Sequence, residues 1–197
     1  MTADPMTADP RLTASNGRVA HLSLRGLVQA ERYVPGEAAR IRVPLADLLA
    51  RPDGPRNRQL LRGDAVLVLD RTERHAFVQA AKDGYCGWLD LGAIGPDHAV
   101  THRVIAPATH LYASPSIKRR EVGLLSFGSL LAIGAPDGRF AETHDGSFVI
   151  TAHLAPVAGH QSDPASVAEL FLGTPYLWGG NSRNGIDCSG LAQAALL

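Results

Sequence analysis

The sequence predicts a mainly β protein, with two small barrels of short strands followed by a segment in which strand gives way to helix. Three observations carry this. A set of apolar runs split by Gly, Asp and Pro turns occurs twice, about 60 residues apart. Asp-Gly pairs at Asp83-Gly84 and Asp145-Gly146 mark tight hairpins. Near the end, a Gly- and Asn-rich loop through Gly179, Gly180, Asn184 and Gly185 leads into the helical pattern Leu191, Ala194, Ala195.

Residues 1–16 open with Met-Thr-Ala-Asp-Pro twice and are expected to be disordered. They show no basic stretch followed by an apolar one, so no export signal is read there. The nearly apolar run from Leu124 to Ala135 falls short of the ~20 residues a membrane helix needs. The expected address is therefore cytoplasmic. Val19–Arg25 and Ala39–Val43 alternate as strands, with Pro35-Gly36 turning between them and their arginines read as a solvated face. They form the lead-in to a first module over 17–98.

The first copy of the repeat starts at Pro44-Leu-Ala-Asp-Leu-Leu-Ala-Arg-Pro52, read as a first strand with its turn. The second copy starts at Pro107-Ala-Thr-His-Leu-Tyr-Ala-Ser-Pro115, in a module over 99–157. Gly63–Leu69 and Gly128–Gly134 are the matching Gly-led apolar strands, and Phe77 and Phe140 start the next strand of each copy. Tyr85, Trp88 and Tyr112 are either core aromatics or the lining of a peptide groove. Cys86 alternates with Tyr85 and Gly87 and reads as packing. Lys118-Arg-Arg120 reads as a solvated loop. Asp83-Gly-Tyr-Cys-Gly-Trp88 resembles bacterial SH3-like (SH3b) modules, from which the second copy departs with Ser147-Phe-Val149.

Residues 158–197 form the last unit. After a linker over 156–161, Asp163 caps a helix with Pro164 at its first position and Gly173 at its stop. Asp187 caps a second helix starting at Cys188. That places Cys188 among unpaired N–H groups that favour negative charge, a setting for a nucleophilic thiolate. A small buried cysteine is the competing reading.

Pro175-Tyr-Leu-Trp-Gly-Gly180 followed by Gly185-Ile-Asp-Cys-Ser-Gly190 resembles the N-terminal part of an NlpC/P60 cysteine peptidase domain. The resemblance implies two SH3-like barrels followed by the beginning of an α+β papain-like domain. It implies Cys188 as nucleophile with Tyr176 beside it as catalytic residues. Trp178, Asp187 and Ser189 would shape the substrate site, and Tyr112 would reach it from the second module. The implied substrate is a murein peptide cut at a γ-D-glutamyl bond to a diamino acid, with no metal and no cofactor. The family takes its general-base His from strands after the Cys helix, whereas all eight histidines here precede Cys188. The expectation is a C-terminally truncated chain carrying half an active site. A protein that binds peptide or cell wall without cutting is the alternative.

Nineteen basic and nineteen acidic residues cancel, which argues against a nucleic-acid footprint or an anionic-membrane patch. Two cysteines make no disulfide framework or metal-ligand spacing, and fit a reducing compartment.

Overall fold

The computed structural model describes residues 9–134, 138–159 and 163–196. Strands dominate, and the fold is mainly β with several sheets, as the sequence predicts. A short parallel pair, β1 (Val19–His21) and β2 (Arg32–Val34), comes first. Seven strands then form one sheet: β3 (Glu37–Ile41), β4 (Leu45–Leu49), β5 (Arg56–Leu61), β6 (Ala65–Arg71), β7 (His75–Ala80), β8 (Cys86–Asp90) and β9 (Ile94–Pro96). Their order is β5-β4-β8-β7-β6-β3-β9. Inward residues of alternating strands, among them Leu48, Leu60, Val78 and Leu89, close the core. Burying each leucine contributes about 2 kcal/mol.

A second set follows: β10 (His102–Val104), β11 (Ala108–Tyr112), β12 (Glu121–Ser126), β13 (Leu130–Leu131), β14 (Phe140–Glu142), β15 (Phe148–Ile150) and β16 (Leu154–Pro156). The repeat seen in the sequence is a repeat of pairings. Strand β3 pairs with β6 and β9 as β10 pairs with β13 and β16; β4 pairs with β5 and β8 as β11 pairs with β12 and β15. A 3-10 turn precedes the last strand of each set, at Leu91–Ala93 and Thr151–His153. The second core gathers Val104, Leu111, Leu125, Leu131 and Val149. Both Asp-Gly hairpins have the positive φ that glycine supplies, 77° at Gly84 and 79° at Gly146.

Two expectations are corrected. The Pro44 stretch is the second strand of its set, not the first. The opening strand is Glu37–Ile41, because its edge hydrogen-bonds to β6 and β9 and so completes the sheet. Residues 9–16, expected within a disordered start, are packed. Ala14 is buried with Leu69, Phe77 and Cys86, and Asn16 donates to the buried Asp70 carboxylate. Residues 1–8 lie outside the described residues, as do 160 and 161 of the expected linker.

The last unit holds α1 (Pro164–Glu169), β17 (Asn181–Ser182), β18 (Gly185–Ile186) and α2 (Cys188–Leu196). Asp163 caps α1 by accepting from the Ala165 N–H at 3.0 Å. This helix ends at Glu169, before the expected stop at Gly173, and turns carry the chain on. Helix α2 lays Leu191, Ala194 and Ala195 against Phe127, Val167, Phe171 and Ile186, so the second barrel contributes to this core through Phe127. Among the described residues no helix is long and apolar enough to cross a membrane.

Candidate active site

The motif loop is built by its backbone. Asn181 and Ser182 pair with Ile186 and Gly185 in a two-residue ladder, and Tyr176 bridges to Ile186 in parallel. The Leu177 N–H donates to the Ile186 carbonyl at 3.2 Å, and the Ile186 N–H donates to Pro175 at 3.1 Å. The Pro-Tyr-Leu-Trp segment therefore lies beside the strand that leads into α2, two residues before Cys188.

Glycine is needed here for close approach. A Cβ on Gly190, in the first turn of α2, would sit 2.5 Å from the Gly180 carbonyl oxygen. A Cβ on Gly179, whose φ is 68°, would sit 2.8 Å from the Asn57 carbonyl oxygen on β5. Loop, helix and first barrel are in backbone contact at these points.

Asp187 is the clasp. One carboxylate oxygen accepts from the Gly190 N–H at 2.7 Å and the Ser189 hydroxyl at 2.8 Å; the other accepts from the Gly179 N–H at 2.9 Å. Burial alone would push this carboxyl up. The bonds from Gly190, Ser189 and Gly179 outweigh it and hold the group below the usual carboxylate value. Asp187 is thus both N-cap and loop tie, and it stays ionised. Cys188 follows on the exposed side of the first turn. Tyr176 and Trp178 are 67% and 68% exposed, so the loop presents two open rings.

The structure gathers Tyr176, Trp178, Asp187, Cys188 and Ser189 in one loop-helix unit. Tyr112 is placed otherwise. It is 8% exposed, with its ring edge-on to Phe140 at 5.9 Å and to His110 at 6.0 Å between centroids. Tyr85 and Trp88 also serve packing: Tyr85 lies against the first core, and Trp88 lies 5.5 Å from Phe77. Cys86 is 3% exposed, and burial pushes its thiol up to about 11.

The seven described histidines are engaged elsewhere. His98 stacks on His144 at 4.1 Å, and His153 bonds Thr109. His75 lies 3.5 Å from Asp53, and His21, His102 and His110 contact Ser23, Thr101 and Tyr112. Among the described residues the Cys188 thiol has no hydrogen-bond partner, and no group of three or more His, Cys, Asp or Glu could hold a metal ion.

What the sequence reading missed is the wall supplied by the first barrel. Along β5, Arg56 Nε donates to the Trp178 carbonyl at 3.1 Å, and Gln59 Oε1 accepts from the Asn181 N–H at 3.1 Å. Between them Arg58 bonds Gln193 of α2 and pairs with Asp83. Arg183, in the hairpin turn, donates from one guanidinium nitrogen to the carbonyls of Leu170 and Leu172 and to the Thr174 hydroxyl. This ties down the turns that follow α1. Its own N–H donates to Ser126 Oγ of the second barrel at 3.0 Å.

Comparison with known proteins points the same way. Residues 48–94 match the family model for a bacterial dipeptidyl-peptidase Sh3 domain, and residues 173–197 match the NlpC/P60 family. The chain is 33% identical over 146 residues to a gamma-D-glutamyl-L-lysine dipeptidyl-peptidase from Bacillus subtilis strain 168, covering 67% of this chain and 49% of that protein. It is 27% identical over 137 residues to a protein of the same name from Bacillus cereus, covering 57% and 39%. The chain thus spans about half the length, or less, of these curated relatives. A crystal structure of an NlpC/P60 family protein from Bacillus cereus ATCC 10987 superposes with a TM-score of 0.68 at 20% identity. That superposition covers 81% of this chain and 71% of the other, and shows a shared fold. The chain carries a bacterial SH3-type module and an NlpC/P60 segment.

Proposed function

We propose that the protein is a cysteine peptidase of NlpC/P60 type that cuts murein-derived peptides at a γ-D-glutamyl bond to a diamino acid. The observation that carries the reading is an exposed Cys188 at the start of α2, in a loop whose one carboxylate is fully committed to backbone and hydroxyl donors. A free carboxylate beside the thiol would oppose thiolate formation. Asp187 instead accepts from Gly179, Ser189 and Gly190, and Cys188 lies exposed in the first turn of α2.

In the proposed reaction the Cys188 thiolate attacks the amide carbonyl, and the thiol proton passes through an imidazole to the leaving amine. The Cys188 N–H, at the first turn of α2, is the proposed donor to the oxyanion, with the Tyr176 hydroxyl as helper. Trp178 and Ser189 would form the walls for the peptide. We place the general base outside the described residues, since the described histidines are held elsewhere. The names of the two Bacillus relatives support γ-D-glutamyl chemistry and suggest lysine as one acceptable diamino acid.

The test is to incubate the complete reading frame containing this sequence with L-Ala-γ-D-Glu-diaminopimelate and with its L-Lys counterpart, following products by mass spectrometry. Cleavage at the γ-glutamyl bond is expected, and Cys188→Ser should lower kcat by at least ~10³-fold. Cleavage that survives Cys188→Ser rejects the assignment. Binding without cleavage favours the recognition-module alternative.

A further inference from the structure

We propose that Arg58, on the first barrel, is a positioning residue that sets the rotation of α2 and so the direction of the Cys188 thiol. This rests on the peptidase reading for its kinetic consequence, though not for its geometry.

Three side chains close a ring across the barrel–helix junction. Arg58 donates to Gln193 Oε1 and pairs with Asp83, and Gln193 Nε2 donates to Asp83 Oδ2 at 3.1 Å. Both ends of the Gln193 amide are therefore held, one by a cation and one by an anion. Arg58 is 8% exposed, and its guanidinium lies 5.1 Å from the Tyr85 ring centroid. The Arg56 and Gln59 contacts to the motif loop flank it on either side.

Helix α2 needs such a grip. Its described residues run from Cys188 to Leu196. Among the described residues the side chains it packs inward are Leu191 and two alanines, which fix rotation about the axis poorly. Gln193 follows Cys188 by five residues, about 140° around the helix and ~7.5 Å along it. The clamp thus holds the side turned away from the thiol. A rotation of about 12° at a sulfur radius of ~5 Å would move the sulfur ~1 Å, enough to cost on the order of 10-fold to 100-fold in rate. An ammonium cannot serve as well, because bridging Asp83 and Gln193 at once uses the planar fork of a guanidinium.

The test uses the complete protein carrying Arg58→Lys, Arg58→Met, Gln193→Met and the Arg58→Met/Gln193→Met double change. Two readouts are followed: kcat and KM on the peptide, and the pH profile of Cys188 alkylation by iodoacetamide mapped by mass spectrometry. Each single change is expected to lower kcat about 10-fold with KM within about 2-fold, and to slow Cys188 alkylation about 3-fold. The lysine should not rescue, and the double variant should be no worse than Arg58→Met, since both break one ring. Unchanged kcat and alkylation in Gln193→Met, or fully additive effects, would overturn the proposal. Gln193→Met keeps the test valid if the Arg58 variants fail to fold. If no peptide is cut at all, the peptidase reading fails while the alkylation profile still decides the clamp.

Discussion

Gly179→Ala and Gly173→Ala form a matched pair that measures how tightly the motif loop is seated on the first barrel. Both glycines have positive φ, 68° at Gly179 and 77° at Gly173, so alanine brings a left-handed backbone penalty of about 1 kcal/mol at each. The gain from stiffening the unfolded chain is also common to the two and cancels in the comparison. Their surroundings differ. A Cβ on Gly173 meets nothing within 4 Å, whereas on Gly179 it lies 2.8 Å from the Asn57 oxygen and 3.0 Å from Arg58 Cα. Those neighbours are backbone atoms of a paired strand and cannot swing aside, so the loop must back away by roughly half an ångström. That overlap adds about 2 kcal/mol. It also strains the 3.1 Å bonds from Arg56 to Trp178 and from Asn181 to Gln59. Urea denaturation should show Gly179→Ala losing about 2 kcal/mol more than Gly173→Ala, a midpoint difference near 1 M for a slope of ~2 kcal/mol/M. Equal losses in the two variants would refute the claim that loop and barrel meet at backbone distance.

Two further outcomes are expected. Iodoacetamide at pH 8 should modify Cys188 and spare Cys86, whose buried thiol, with a pKa of about 11, is ionised in about one molecule in a thousand at that pH; rapid labelling of Cys86 in the native protein, seen by peptide mapping, would contradict its packing. Asp70→Asn should cost about 2–3 kcal/mol, because the fully buried carboxylate accepts from Asn16 and pairs with Arg18 at 2.5 Å and Arg32 at 2.9 Å, anchoring the lead-in. Burial raises the Asp70 carboxyl, but the bonds from Asn16 and Arg18 outweigh it and hold the group below its ordinary value. Its contribution is therefore full above the unfolded value near ~3.9 and is lost as pH falls below that through the folded value. Circular dichroism melts between pH 7 and 2 should show Asp70→Asn losing less on acidification than the parent, and an equal loss would reject the anchor.

The parts of the site written in local chemistry were legible from residues alone. Asp187 could be read as a cap and Gly179, Gly180 and Gly185 as loop formers, because capping and turn geometry act over a few residues. The repeat was legible for the same reason, through Gly84 and Gly146 at their hairpins. Strand β3 was misread as a lead-in because Pro44 looks like a beginning, and only the pairing of Arg40 with Gly95, far along the chain, shows that the sheet starts earlier. Tyr112 is buried beside Phe140, a matter of packing that no motif records.

The wall from β5 is the instructive omission. Arg56-Asn-Arg-Gln59 breaks the apolar alternation of a barrel strand, and a polar run on a strand ordinarily marks a solvated face. Here Arg58 and Gln59 are nevertheless buried. The face is polar because its partner offers polar groups: the Trp178 carbonyl, the Asn181 N–H and the Gln193 amide. Desolvating a guanidinium is costly, and burial does push Arg58 below its usual value, so such a residue persists only where its partners are fixed in place. A part-buried Arg-Asp-Gln ring with the first barrel on one side and α2 on the other therefore specifies orientation more than it adds stability. That is the expected arrangement if barrel and helix act as one unit, with the polar face of β5 setting where the thiol points.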